Sequence, residues 1–223
     1  MKVVYSDNNI AVIIKPPWMS SQFMPDGHGA PDVLKEKLNC MIYPVHRLDA
    51  ATSGLMVYAK SKHAAAVISR GILNGSFFKE YVALVHGIPS PAVGKYEDLL
   101  YHDTAKNKTF VVDRERNSVR TALLSYETVK TLKTESGDVS VVRIVPKTGR
   151  THQIRVQFAS RQMPLVGDKK YGARDDEKRL ALCCRRLDFT HPETGEELTF
   201  IIPDSEIEIF DYIRKKPPVT ADR

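Results

Sequence analysis

A chain of 223 residues, 42% hydrophobic and 27% charged, has material for a sizeable core and the balance of an ordinary globular protein. No apolar run approaches the ~20 residues of a membrane helix, MKVVYSDNN lacks a signal-peptide core, and three cysteines (two of them adjacent, Cys183 and Cys184) make no disulfide framework, so a reduced, cytoplasmic protein is expected. The net charge of +6 is unevenly spread: between Arg143 and Arg186 twelve Lys/Arg face four acids, a local +8 that favours a polyanionic partner, nucleic acid first.

In chain order, Val3–Tyr5 and Ile10–Lys15 read as short strands around Ser-Asp-Asn-Asn, and Pro16-Pro17 ends the second. A Gly-, Pro- and Ser-rich loop precedes Pro31–Leu38, whose apolar spacing and leading proline predict a helix. Leu55–Ala59 is apolar throughout, as a buried strand would be. Ser61 is placed to cap a helix that Gly75 ends. Strands are expected at Lys79–Val85, Thr109–Val112, Val119–Val129, Val139–Pro146, Leu180–Phe189 and Leu198–Ile202. Thr151–Arg161 has helical spacing, and a last helix is expected near Asp204–Ile213. Short connections between many strands argue for an α+β fold with a mostly antiparallel, mixed sheet and a few flanking helices. It is expected as one catalytic domain over residues 1–215, with a flexible tail from 216 to 223.

Several chemistries are poorly supported. Cys183, Cys184, His152 and His191 lack zinc-site spacing, Ser53 lacks a nucleophile elbow, and no phosphate-loop or dinucleotide fingerprint occurs. Four segments remain. They are Pro44-Val-His-Arg-Leu-Asp-Ala-Ala-Thr-Ser-Gly54, Phe78–Ala83 with its one tyrosine, Lys147–Arg155 with two arginines, and Val166–Gly172. Separately each has a dull reading as a turn, a core tyrosine, a basic helix start and a glycine-bounded loop.

Together they resemble the RluA-type family of RNA pseudouridine synthases. The match rests on His46-Arg47-Leu48-Asp49-x-x-Thr52-Ser53-Gly54, a highly specific signature, with Lys15-Pro16-Pro17, Thr148–Arg155, Gly167-Asp168-x-x-Tyr171-Gly172 and Leu180–Pro192 in support. It spans about residues 10–203, and no N-terminal RNA-binding module is expected before Val3. Two departures are Cys183-Cys184, where His-Ala is common, and Gln157, where His is frequent.

The resemblance implies isomerisation of uridine in ribosomal or transfer RNA to pseudouridine. Asp49 is the implied essential carboxylate, acting as nucleophile on the base or as a base at the sugar. Arg155 is the implied guanidinium that keeps Asp49 ionised, and Tyr81 the ring that stacks on the uracil. Arg47 would fill the space that a flipped-out uridine vacates. Arg150, His152, Lys169 and Lys170 are expected to bind RNA, and small residues at Thr52–Gly54 to let its backbone approach. No metal or organic cofactor is implied, because the isomerisation is redox-neutral, and a monomer is expected. Two other readings remain open at this point: an inactive RNA-binding protein of the same fold, and a metal-dependent nucleotide hydrolase using His46, Asp49 and His152.

Overall fold

The computed structural model describes residues 1–134 and 137–212. Among them are eleven strands and three α-helices, the α+β class expected. The described residues divide into two compact units, one made of residues 1–80 with 183–206, the other of residues 81–182 with 207–212.

In the first unit β1 (Lys2–Ser6) pairs antiparallel with β2 (Ile10–Lys15), and β2 pairs with β4 (Ser53–Ala59). The two-residue β3 (Tyr43–Pro44) lies against the other end of β4. On its second edge β4 meets β10 (Leu182–Thr190) in parallel, and β10 carries β11 (Glu197–Ile201). The run from Leu55 to Ala59 is buried on both faces, which explains its unbroken apolar character. Helix α1 (Ala30–Leu38) has Pro31 in its first turn. Helix α2 (Lys62–Asn74) starts where Ser61 Oγ accepts the Ala64 N–H at 3.0 Å, and ends at Gly75 with φ 83°.

In the second unit β5 (Phe78–His86), β9 (Gly137–Pro146), β8 (Val119–Thr134), β6 (Val93–Asp103) and β7 (Lys108–Val112) follow one another, each pair antiparallel. Helix α3 (Gln153–Ala159) buries Val156 against Leu100 and Ala122, and Phe158 against the rings of Tyr96 and Tyr126.

Strands β3 and β6 were not expected. At the other end, the helix expected at Asp204–Ile213 begins as two 3-10 turns, Asp204–Glu206 and Glu208–Phe210; residues 211 and 212 are helical, and Ile213 lies outside the described residues. Ile207 and Ile209 are both buried two positions apart, a spacing no single helical face provides. The expected tail from 216 to 223 lies outside the described residues.

Candidate active site

In the first unit Asp49 sits in the loop between β3 and β4, and the carbonyls on either side of it are both taken. Ser21 Oγ donates to Leu48 O at 2.8 Å, and Ser21 is itself tied down, its carbonyl accepting from Tyr58 O–H at 3.0 Å. Ala50 O accepts from Trp18 N–H at 2.7 Å and from Lys15 Nζ at 3.1 Å. Lys15 is wholly buried, and its ammonium places its other two donors on Pro16 O and Met19 O, both at 2.9 Å. Burial pulls its pKa down to about 8, against the opposing pull of the Asp49 charge. The lysine of the Lys-Pro-Pro segment thus anchors the aspartate loop to the end of β2, a role that the sequence did not disclose.

The turn closes with Thr52 N–H on Asp49 O at 2.9 Å, and Thr52 is buried. Gly54 has φ 117°, and a Cβ there would lie 2.4 Å from Cys184 O and 2.5 Å from Cys184 N. Packing inside the fold already requires small residues here: β10 runs directly beside Gly54, and Thr52 is buried. His46 accepts the Val57 N–H on Nε2 at 3.1 Å; burial, with the Lys79 charge adding to it, drives its pKa down to about 3. Arg47 is exposed and Asp49 half-buried.

In the second unit Tyr81 lies near the start of β5, buried opposite Ile144 of β9. Arg155 is buried on α3 and makes a bidentate pair with Asp168, Nε to Oδ2 at 2.7 Å and Nη2 to Oδ1 at 2.8 Å. That pair uses one edge of the guanidinium and leaves Nη1 to other partners. The Arg155 guanidinium also stands 5.0 Å over the ring of Tyr171. Asp168, unassigned from sequence, is thereby the residue that orients Arg155.

The expected RNA-binding residues separate into two kinds. Arg150, Lys169 and Lys170 are exposed. Arg150 Nε reaches Thr121 O at 3.0 Å and Lys170 Nζ reaches Asn107 O at 2.6 Å, which positions them without consuming their charge. His152 is of the other kind: it is buried, holds φ 55° before α3, and meets Tyr171 Oη through Nδ1 at 2.9 Å. Burial foremost, then the Arg155 and Lys170 charges, keep it neutral with a pKa near 3, so it offers phosphate no positive charge. The +8 of the basic block is also smaller than its count. Arg161 pairs with Asp98, Arg185 with Glu80 and Asp204, and Arg186 with Asp188, all acids from outside the block. Among the described residues no group of three or more His, Cys, Asp or Glu side chains is placed to hold a metal ion.

A family model described as RNA pseudouridylate synthase matches residues 9–160, a span that contains Asp49, Tyr81 and Arg155. The dual-specificity RNA pseudouridine synthase RluA of Escherichia coli strain K12 is 33% identical over 221 residues, covering 90% of this chain and 92% of that protein. The ribosomal large subunit pseudouridine synthase C of Buchnera aphidicola subsp. Schizaphis graminum is 31% identical over 218 residues, covering 90% of this chain and 66% of that longer protein. Among solved structures, human RNA pseudouridylate synthase domain containing 1 aligns over 100% of this chain and 90% of its own, with a TM-score of 0.81 and 22% identity, a likeness of fold.

Proposed function

Since the chain belongs to the RNA pseudouridylate synthase family, the isomerases that convert uridine in RNA to pseudouridine, we propose that it acts on structured ribosomal or transfer RNA with Asp49 as its essential carboxylate. In this reading it works in the cytoplasm as a monomer. Asp49 attacks or deprotonates a uridine that has left its stack, Tyr81 and Arg155 complete the catalytic side chains, and Arg47 occupies the vacated space. Arg150, Lys169 and Lys170 hold phosphates and supply sequence-independent affinity. His152 serves inside the fold, keeping Tyr171 beneath the Arg155 guanidinium.

The observation that carries this reading is the bracing of the Asp49 loop. A turn residue needs no buried ammonium and no hydroxyl fixing the carbonyls before and after it, whereas a carboxylate that must meet one atom of a flipped nucleotide does. Relatives named for both ribosomal and dual-specificity activity support the substrate class.

Asp49→Asn separates chemistry from fold, because asparagine has nearly the same size and is a far weaker nucleophile and base. The variant should melt as the wild type does and retain RNA binding. Single-turnover release of tritium from RNA labelled at uridine C5 should fall by roughly 10⁴ or more. Turnover near wild type in the folded variant would overturn the assignment.

A further inference from the structure

Trp18 is the single tryptophan of the chain, and it occupies an unfavourable position twice over. Its side chain is 67% exposed, so a large aromatic surface faces water. Its backbone has φ 67°, the left-handed region that favours glycine over bulky side chains. Nothing in core packing accounts for an indole held this way.

The backbone around it is firmly fixed. Trp18 N–H donates to Ala50 O, the carbonyl directly after Asp49. Lys15 grips that same carbonyl and also Pro16 O and Met19 O, on both sides of Trp18. One buried cation therefore holds both the strained tryptophan and the aspartate loop. Strain that the surroundings over-determine, at an exposed point beside a reactive group, is typical of a binding element. Further along the same loop Phe23 and Met24 are also exposed, at 45% and 41%.

We propose that Trp18 is a stacking platform for an unpaired RNA base next to the target uridine. The inference rests on the functional reading above. When a uridine leaves its stack, a neighbouring base loses cover on one face, and in loops or bulges that face is open to a protein ring. Indole supplies the largest flat surface of any side chain. It accepts any base, because every base has a π face, so it adds affinity beside Asp49 without dictating the neighbour's identity. A charged side chain such as Arg47 gives phosphate attraction but not an equivalent apolar face.

The single tryptophan makes the test direct. Ribosomal and transfer RNA from a strain lacking the gene is titrated into the wild-type protein. Trp18 emission and its access to acrylamide are followed together with RNA anisotropy and pseudouridine formation. Emission should fall and acrylamide access should drop in step with binding. Trp18→Gly suits φ 67° and should melt no lower than wild type, yet bind RNA about tenfold or more weakly. Its single-turnover half-saturation should rise, while the rate at saturating RNA stays within a few-fold. Trp18→Phe should recover part of the affinity. Binding and turnover with silent Trp18 emission, or a Trp18→Gly protein of wild-type affinity, would overturn the stacking role alone. A Trp18→Gly protein melting well below wild type would assign the ring to packing and overturn it equally. If wild-type protein neither binds this RNA nor forms pseudouridine, the functional reading fails and the inference falls with it.

Discussion

Acid should destabilise the protein through two histidines that the fold keeps neutral, the half-buried His46 and the buried His152. Both have pKa values pushed from the ordinary 6.5 to about 3, with burial the first cause in each. The geometry says the same. His46 Nε2 accepts the Val57 N–H, so a proton there would break that bond. His152 Nδ1 lies 2.9 Å from Tyr171 Oη, which also accepts the Thr109 N–H at 2.8 Å, so the imidazole is enclosed in the fold's own bonds. Between pH 6.5 and 3 the unfolded chain binds these protons and the folded chain does not, so stability falls as pH drops through that window. Each pH unit costs about 1.4 kcal/mol per site, so at pH 5 each histidine removes about 2 kcal/mol and the pair about 4. The depressed carboxylates Asp7 and Asp175 lose their contribution only below the ordinary carboxyl value of 3.8, a separate window. Urea unfolding followed by far-ultraviolet circular dichroism at pH 7.5 and pH 5 gives the acid-dependent loss as a difference within each protein. In His46→Gln that difference should shrink by about 2 kcal/mol, whatever the substitution does to stability at pH 7.5. An unchanged difference in both His46→Gln and His152→Gln would refute the argument.

Two further predictions concern the supports of the site. Asp168→Asn takes the charge from a buried bidentate pair and should cost about 3–5 kcal/mol in urea unfolding, with slower tritium release because Arg155 loses its orienting partner. A stability within 1 kcal/mol of wild type, by roughly the error of such measurements, would contradict it. Gly54→Ala puts a methyl group into the backbone of β10 at a φ that disfavours alanine, and should lower stability by about 3 kcal/mol or more, read as a melting temperature reduced by about 6–12 °C. An unshifted melt would show that β10 moves aside freely.

Most helices and strands were legible because their apolar patterns are local: the Ser61 cap, the Gly75 stop and the doubly buried run of β4 need no knowledge of distant residues. Strand β6 escaped for a physical reason. In VGKYEDLLYHD only Tyr96 and Leu100 are buried, four residues apart, with charges at 97 and 98 between them and another at 95. Strand β3 is two residues long and ends in proline. The signature around Asp49 identified the family, but sequence separation hid what supports it. Lys15 reaches Ala50 across 35 positions, and Asp168 reaches Arg155 from the far side of a loop. Counting charges misjudged the basic block because Asp98, Glu80, Asp204 and Asp188 neutralise three of its arginines from elsewhere in the chain. The pattern around His152 suggested a basic group facing RNA, since spacing alone cannot tell an inward imidazole from an outward one.

The discontinuity of the first unit bears on the order in which the chain can fold during synthesis. Strand β4 needs β10 on its second edge, and the two are joined through Cys183 opposite Ser53 and Cys184 opposite Gly54, some 130 residues apart in sequence. Until residues 183–206 leave the ribosome, the N-terminal segment has an apolar strand with an open edge, while residues 81–182 can already pair their own antiparallel strands. At about 5–20 residues per second that exposure lasts several seconds or more. The nascent chain is therefore most vulnerable to mispairing just before its last fifth emerges, and a trigger-type chaperone should bind chains whose residues 183–206 are still inside the ribosome more tightly than released full-length chains.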